Sequence, residues 1–317
     1  MITISDKVKI ALDETRMLIL GSQILIGFQF RAVFQDGFED LSKGLRYLDA
    51  LALLLMLAAS TLLIAPGLYH RIAEQGEDTV RLHRVTSAMA GLALFPFACS
   101  IGLDVFIAIG KAVAPPTALL AGCGFAALAL FWWYGFEYLR MRTIGGKERS
   151  MASQRSGGRK PTSLHNKIDQ MLTEARVILP GAQALLGFQL AIIVTRSFDA
   201  LDATSKLLHA TSLGLVTLTV ILLMAPAAYH RIVYAGEDAE EFHRTGSIMV
   251  TAATVPLALG IGCDVYVVMA RIFAVPELAV GIAVAVTAAF VALCHVYPLV
   301  VRLRDDRTPQ ARPRRAV

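Results

Sequence analysis

Eight apolar stretches divide this 317-residue chain, near 17–34, 47–69, 85–110, 117–139, 177–195, 208–229, 245–270 and 277–301. Each approaches the roughly 20 residues that a helix needs to cross the hydrocarbon core of a bilayer. Their interiors are Leu, Ala, Ile and Val, without the period-2 alternation of barrel strands. The expected fold class is therefore all-α: a polytopic integral membrane protein with eight transmembrane helices. Composition agrees, with 56% hydrophobic and 17% charged residues where soluble domains run near ~25% charged. Such a balance excludes disorder. Cys99, Cys123, Cys263 and Cys294 all lie inside apolar runs, which excludes a secreted disulfide scaffold. The polar start MITISDKVKIALDETR has no signal-peptide pattern, so the first span is expected to be retained.

Orientation follows from Lys and Arg. The segment 140–169 carries eight basic and two acidic residues, and 302–317 six Arg and two Asp. Both are expected on the cytoplasmic side of the cell (inner, plasma) membrane, with the N-terminus on the same side. Their expected partners are membrane lipids with anionic headgroups. Nucleic acid is not an expected partner, because no aromatic residues interleave the basic runs and no folded basic domain holds them. Oligomerisation is possible on this reading but not required.

The chain is also written twice. Residues 10–142 and 170–302 align at a constant offset of 160 without a gap. GSQILIGFQ (21–29) returns as GAQALLGFQ (181–189), and residues 62–84 return as 222–244 with 13 of 23 positions identical. The expected domains are a four-helix repeat at 1–142, a basic linker at 143–169, a second four-helix repeat at 170–302 and a basic tail at 303–317. Four spans per repeat make the two copies parallel, related by a pseudo-two-fold axis along the membrane normal.

Three polar groupings occur in both copies. Gln29 and Asp104 recur as Gln189 and Asp264. Asp104 precedes Lys111 by seven residues, about 10 Å along a helix, and Gln29 sits at similar depth on a parallel span. An acid in hydrocarbon costs roughly 2.5–3.5 kcal/mol on insertion scales, so these four residues are candidates for an ion or proton path. The plain alternative is a packing acid that hydrogen-bonds its glutamine.

The second grouping lies at the expected cytoplasmic end: His70, Arg71, Glu77, Asp78, His83 and Arg84, with His230, Arg231, Glu237, Asp238, His243 and Arg244. The histidines flank one short loop between antiparallel helices. They permit a salt-bridged loop, a proton-collecting antenna, a metal pair or bis-His haem ligation. His295 is matched by Gly135, so a third imidazole is available in one half alone. Arg16, Gln23 and Gly27, repeated as Arg176, Gln183 and Gly187, form the third grouping. They share a narrow helical arc and read as a helix-packing seam, or as a polar route toward Gln29 and Asp104. His209 stands where the first copy has Asp49 and reads as drift or specialisation. Pro66 and Pro96 are expected to kink or end their helices.

Phosphate loops, CxxC, HExxH and nucleophile-elbow motifs are all missing from the sequence. No enzyme, resident metal or cofactor is expected. The segment from Arg16 to Gln29, the AP..YHR corner at 65–71 and His83, with their second copies, resemble a family of small bacterial membrane proteins of unknown function. Members of that family have about one repeat's length and four predicted spans, and some carry the label sodium:proton antiporter. The resemblance implies a tandem fusion of two such units. It favours proton-coupled transport or permeation of a small monovalent cation over a non-catalytic membrane scaffold or stress protein, and over a His-ligated haem or metal redox module.

Overall fold

The computed structural model describes residues 4–135, 162–234 and 237–307. Linker residues 143–161 and tail residues 308–317, expected to be basic and cytoplasmic, lie outside them. Among the described residues nine long helices carry the fold, apart from the single turn Arg196–Asp199: α1 (Ile4–Ala32), α2 (Lys43–Ile72), α3 (Val80–Gly110), α4 (Pro115–Leu130), α5 (Leu164–Ile192), α6 (Ala203–Val233), α7 (Glu240–Phe273), α8 (Pro276–Val291) and α9 (Tyr297–Arg307). A π-helical turn follows α4 at Phe131–Gly135, and another joins α8 to α9 at Ala292–Val296.

Helix starts are written locally. The side chains of Ser42, Thr79, Ser163 and Asp202 each accept a hydrogen bond from the backbone N–H three residues on, opening α2, α3, α5 and α6. Pro115 and Pro276 stand in the first turns of α4 and α8, where a missing N–H costs nothing. Between α2 and α3 the chain turns through Gln75 and Gly76, both with positive φ (53° and 80°). A residue without a Cβ suits the second position. Pro66 and Pro96 do not end their helices; α2 and α3 run on past them, as α6 and α7 do past Pro226 and Pro256.

Among the described residues, seven helical segments are long and apolar enough to cross a membrane: α2, α3, α4 with its π turn, α5, α6, α7 and the continuous run from α8 through α9. With 29 residues α1 has the length. Its composition falls short, because its inward face carries Thr15, Arg16, Ser22, Gln23 and Gln29. Outward faces are apolar: Leu120 on α4 and Ile232 on α6 are 78% and 79% exposed. Contiguous apolar surface of this kind is rare on water-soluble monomers, and it supports a multi-pass membrane protein.

Within each half the packing recurs. The first helix lies on the second and third, the second on the third, and the third on the fourth. In α3 and α4 the backbones nearly touch: a Cβ built on Gly122 would lie 2.6 Å from the Gly102 carbonyl oxygen, and one on Gly102 would lie 2.9 Å from that of Gly122.

Between the halves the packing is one-sided. Helix α1 runs along α5, and α2 packs against α7, α8 and the π turn after α8. A two-fold relation would return that contact as α6 against α3 and α4, and among the described residues no comparable contact is made there. The expected pseudo-two-fold axis therefore does not describe how the halves meet. Most of the contact joins different faces, head to tail; only at the margins of the α1–α5 seam do equivalent positions meet, Phe28 with Phe188 at 4.8 Å and Lys9 with Asp169 at 3.6 Å.

Candidate functional site

Two polar arrangements are built on this frame. The first is the predicted acid–amide pair, and both copies assemble. Gln29 Nε2 donates to Asp104 Oδ2 at 2.9 Å and to Ser100 Oγ at 3.0 Å, and Ser100 Oγ donates to the Ala52 carbonyl at 2.8 Å. In the second half Gln189 Nε2 donates to Asp264 Oδ2 at 2.6 Å and to Ser212 Oγ at 2.7 Å, and Ser212 Oγ donates to the Gly260 carbonyl at 2.8 Å.

The serines are not counterparts of each other. At the offset of 160, Ser100 corresponds to Gly260 and Ser212 to Ala52. The hydroxyl has crossed from the third helix to the second, a small residue has taken its former place, and the node is intact. Sequence reading missed both serines, although the paired exchange was visible in the repeat alignment.

The two nodes differ in burial and neighbours. Asp264 is buried, whereas Asp104 is half-buried. His209 sets Nδ1 3.7 Å from Asp264 Oδ1 and Nε2 3.2 Å from the Gln189 carbonyl, with its ring 5.3 Å from that of Phe198. The matching residue near Asp104 is Asp49, buried with its Oδ2 unpartnered. One node thus pairs an acid with an imidazole, and the other pairs two acids. His209, read from the sequence as drift or specialisation, stands beside this node.

The second arrangement is the polar cluster at the other end of the bundle, and only one copy forms it. Glu174 of α5, which sequence reading did not single out, lies at its centre. Its Oε2 accepts from Arg71 Nε at 2.5 Å and also from Arg71 Nη2, while Arg16 Nη2 stands 3.9 Å and His70 Nδ1 3.8 Å from Oε1. Arg16 also bonds Asp13 at 2.5 Å and donates to the Gln170 carbonyl at 3.2 Å.

Asp78 accepts from Ser5 Oγ at 2.6 Å and from Gln170 Nε2 at 3.3 Å, with His70 Nε2 at 3.8 Å. Glu77 pairs with Lys167 at 2.6 Å and accepts from the Thr162 N–H at 3.0 Å. Burial pushes the Glu77 carboxyl upward, but those two partners outweigh it and hold the group below the usual glutamate value.

His70, Arg71, Glu77 and Asp78 therefore tie the first half to α5 and its leading segment, and His70 turns to Glu174 and Asp78 rather than to His83. His83 is half-buried with Nδ1 unpartnered, and Arg84 is exposed. The second copy stays open. His230 stacks on Phe242 at 4.3 Å, Arg231 and Arg244 are exposed, Asp238 meets His165 at 2.9 Å, Glu237 is exposed, and His243 lies beside Gly76. Among the described residues no three His, Cys, Asp or Glu side chains group as a metal site requires.

The predicted packing seam divides in the same way. Arg16, Gln23 and Gly27 are buried, whereas Arg176, Gln183 and Gly187 are exposed. A Cβ on Gly27 would overlap the Phe188 ring, and one on Gly181 would overlap the Gln23 side chain.

Three small cavities follow this seam. One is lined by Arg16, Arg71, Glu174, Ile64 and Thr254, the next by Gln23, Ser60, Thr61, Ile64 and Leu185, and the third by Leu185, Gln189, His209 and Asp264. Ile64 is shared by the first two and Leu185 by the last two, so the cavities lie end to end. Along them Glu174 Oε1, Arg16 Nε, Arg71 Nη1, Gln23 Oε1 and Gln189 Oε1 are buried without a hydrogen-bond partner.

Neither a curated protein nor a solved structure matches the chain. One family model matches it twice, over residues 7–137 and 160–298, so that most of the chain is covered and each half carries one copy. The chain accordingly belongs to DUF6328, a family of unknown function.

Proposed function

We propose that the chain is an eight-span, two-repeat protein of the bacterial inner membrane, with both termini cytoplasmic, that moves protons along the seam between its halves in exchange for a small monovalent cation. One observation carries the reading: the row of unpartnered buried polar atoms beside the three cavities, from Glu174 and Arg16 through Gln23 to Gln189. Native interiors leave few such atoms orphaned, and each asks for a reason. A water in each cavity would satisfy them and connect them.

On this reading Asp264 is the group that gains and loses the proton, and His209 exchanges it at 3.7 Å. Gln189 holds the carboxylate in place from the other side. The His70–Glu174 cluster takes up protons at the cytoplasmic mouth. The half-buried Asp104 and the buried Gln29 serve as its counterpart, with Asp49 beside them as a second oxygen donor for a cation. An ionisable side chain inside a bilayer is a functional candidate by default, and here a path leads to it.

The test is dye-reported proton flux in proteoliposomes challenged with Na⁺, K⁺ and Li⁺. Wild type should show cation-dependent flux. Asp264→Asn should abolish it, and Gln23→Leu should reduce it at least tenfold. Well-sealed vesicles without flux would sink the proposal in favour of a membrane scaffold.

A further inference from the structure

We infer that this chain assembles head to tail with further copies of itself, through open counterparts of the interface that joins its own two halves. The inference is independent of any transport activity. Its basis is the one-sided packing of α2 and α1 on the second half.

On α5, Gln170, Glu174, Val177, Gly181 and Phe188 form the ridge that the first half covers. Their counterparts on α1 are Ile10, Glu14, Met17, Gly21 and Phe28, at a spacing that places them on one helix face. From Ile10 to Gly21 that face is uncovered: Ile10 is 51% and Met17 71% exposed, Glu14 is exposed, and a Cβ on Gly21 would touch nothing within 4 Å, while Phe28, 53% exposed, sets its ring 4.8 Å from that of Phe188 at the edge of the internal seam. The opposite partner is uncovered as well. Arg16, Gln23, Gly27 and Arg71 grip the second half, and their counterparts Arg176, Gln183, Gly187 and Arg231 are exposed.

Charge decides what fits. Arg71 and Arg16 converge on Glu174. Arg231 and Arg176 present the same pair of cations, and Glu14 offers the same carboxylate at the far side of the same molecule. Among the described residues none of the three has an ion-pair partner within the chain. A lipid tail suits Met17 and Phe28 but not Glu14, whereas a second copy supplies arginines at the register already used internally. Heterologous contacts of this kind close into rings when the rotation permits, and a bilayer confines that rotation to one plane.

The experiment measures mass by native mass spectrometry of the full chain released from lipid nanodiscs. Wild type should appear at a multiple of 34.2 kDa. Glu14→Arg should shift it to a single chain, and adding Arg176→Glu and Arg231→Glu to that variant should restore the multiple. Independently, with Cys99, Cys123, Cys263 and Cys294 changed to Ala, a Glu14→Cys, Arg176→Cys variant treated with a bis-maleimide in membranes should give a denaturing-gel band at twice the chain mass, which neither single cysteine gives. A wild type of one-chain mass, a Glu14→Arg variant that assembles as wild type does, or a failed charge-swap rescue would each overturn the inference.

Discussion

Ser100 on α3 and Ser212 on α6 perform the same bridging task from non-equivalent helices: each hydroxyl accepts from a glutamine amide and donates to the carbonyl of the helix opposite. A duplication preserved only by recent origin would keep the serine where it was. That the residue moved and the bridge stayed marks the hydroxyl as the constrained feature.

The exchange can be repeated in the laboratory. Ser100→Gly removes the bridge in the first half and leaves Gln29 with one fewer partner, at an expected cost of about 1–3 kcal/mol. Adding Ala52→Ser to that variant rebuilds the second half's arrangement in the first and should recover most of the loss. Denaturant unfolding in micelles, followed by helical circular dichroism, measures both. No recovery in the double variant would mean that the two nodes are not interchangeable.

Glu174 neutralises Arg71 and stands near Arg16 and His70 in a buried site. Glu174→Ala leaves buried guanidinium groups uncompensated, which costs about 3–5 kcal/mol where a buried pair is broken from one side. Arg84→Ala, at an exposed position of the same end, should stay within about 0.5 kcal/mol of wild type. Equal effects of the two would remove the Glu174 cluster from its role as the tie between the halves.

Two glycines of α4 separate close packing from helix propensity. Gly122 faces the Gly102 backbone, which cannot yield as a side-chain tip can, so Gly122→Ala is expected to destabilise by about 1–3 kcal/mol. A Cβ on Gly124 meets nothing within 4 Å. Gly124→Ala should therefore be neutral or stabilising by up to about 1 kcal/mol. Thermal unfolding of the two variants side by side is the comparison.

Low pH should loosen the loop that joins α2 to α3. The Glu77 carboxyl is held below its usual value by Lys167 and Thr162. Because its folded-state value lies below the unfolded one, its contribution is complete above about pH 4.3 and is lost as pH falls through the folded value. Thermal stability between pH 7 and pH 3 should fall for wild type and change less for Glu77→Gln, which starts lower at pH 7. Parallel profiles would show that this carboxylate does not govern the acid limb.

Much of the helical layout was legible because it is local. Apolar runs, capping side chains and first-turn prolines each act within a few residues; the offset of 160 repeated the apolar runs, but not every cap, since Thr79 is matched by Ala239. The pairing of Gln29 with Asp104 was legible for a related reason: two parallel spans place residues of equal depth side by side. What the sequence could not express is which of two near-identical motifs would be buried. His70–Arg71 and His230–Arg231 read alike, yet the first lies under the second half and the other does not. Glu14 and Glu174 differ in the same way. Their separate fates come from a one-sided contact between halves, a property of the whole assembly rather than of any window along the chain. The serine exchange was legible in principle, through the coincidence of two substitutions 48 residues apart in each half.

The backbone-to-backbone contact of Gly102 with Gly122 has a mechanical corollary. At this crossing each glycine meets backbone and the fixed Cβ of Ala126 or Phe106, so α3 and α4 have little there to re-rotamer and are expected to move together as a stiff blade. The α1–α5 seam, padded by side-chain tips and small voids, is the compliant spine of the molecule. Any breathing of the bundle is therefore directed to the spine, where Gln23 lies over Gly181 and the row of voids would open or close first.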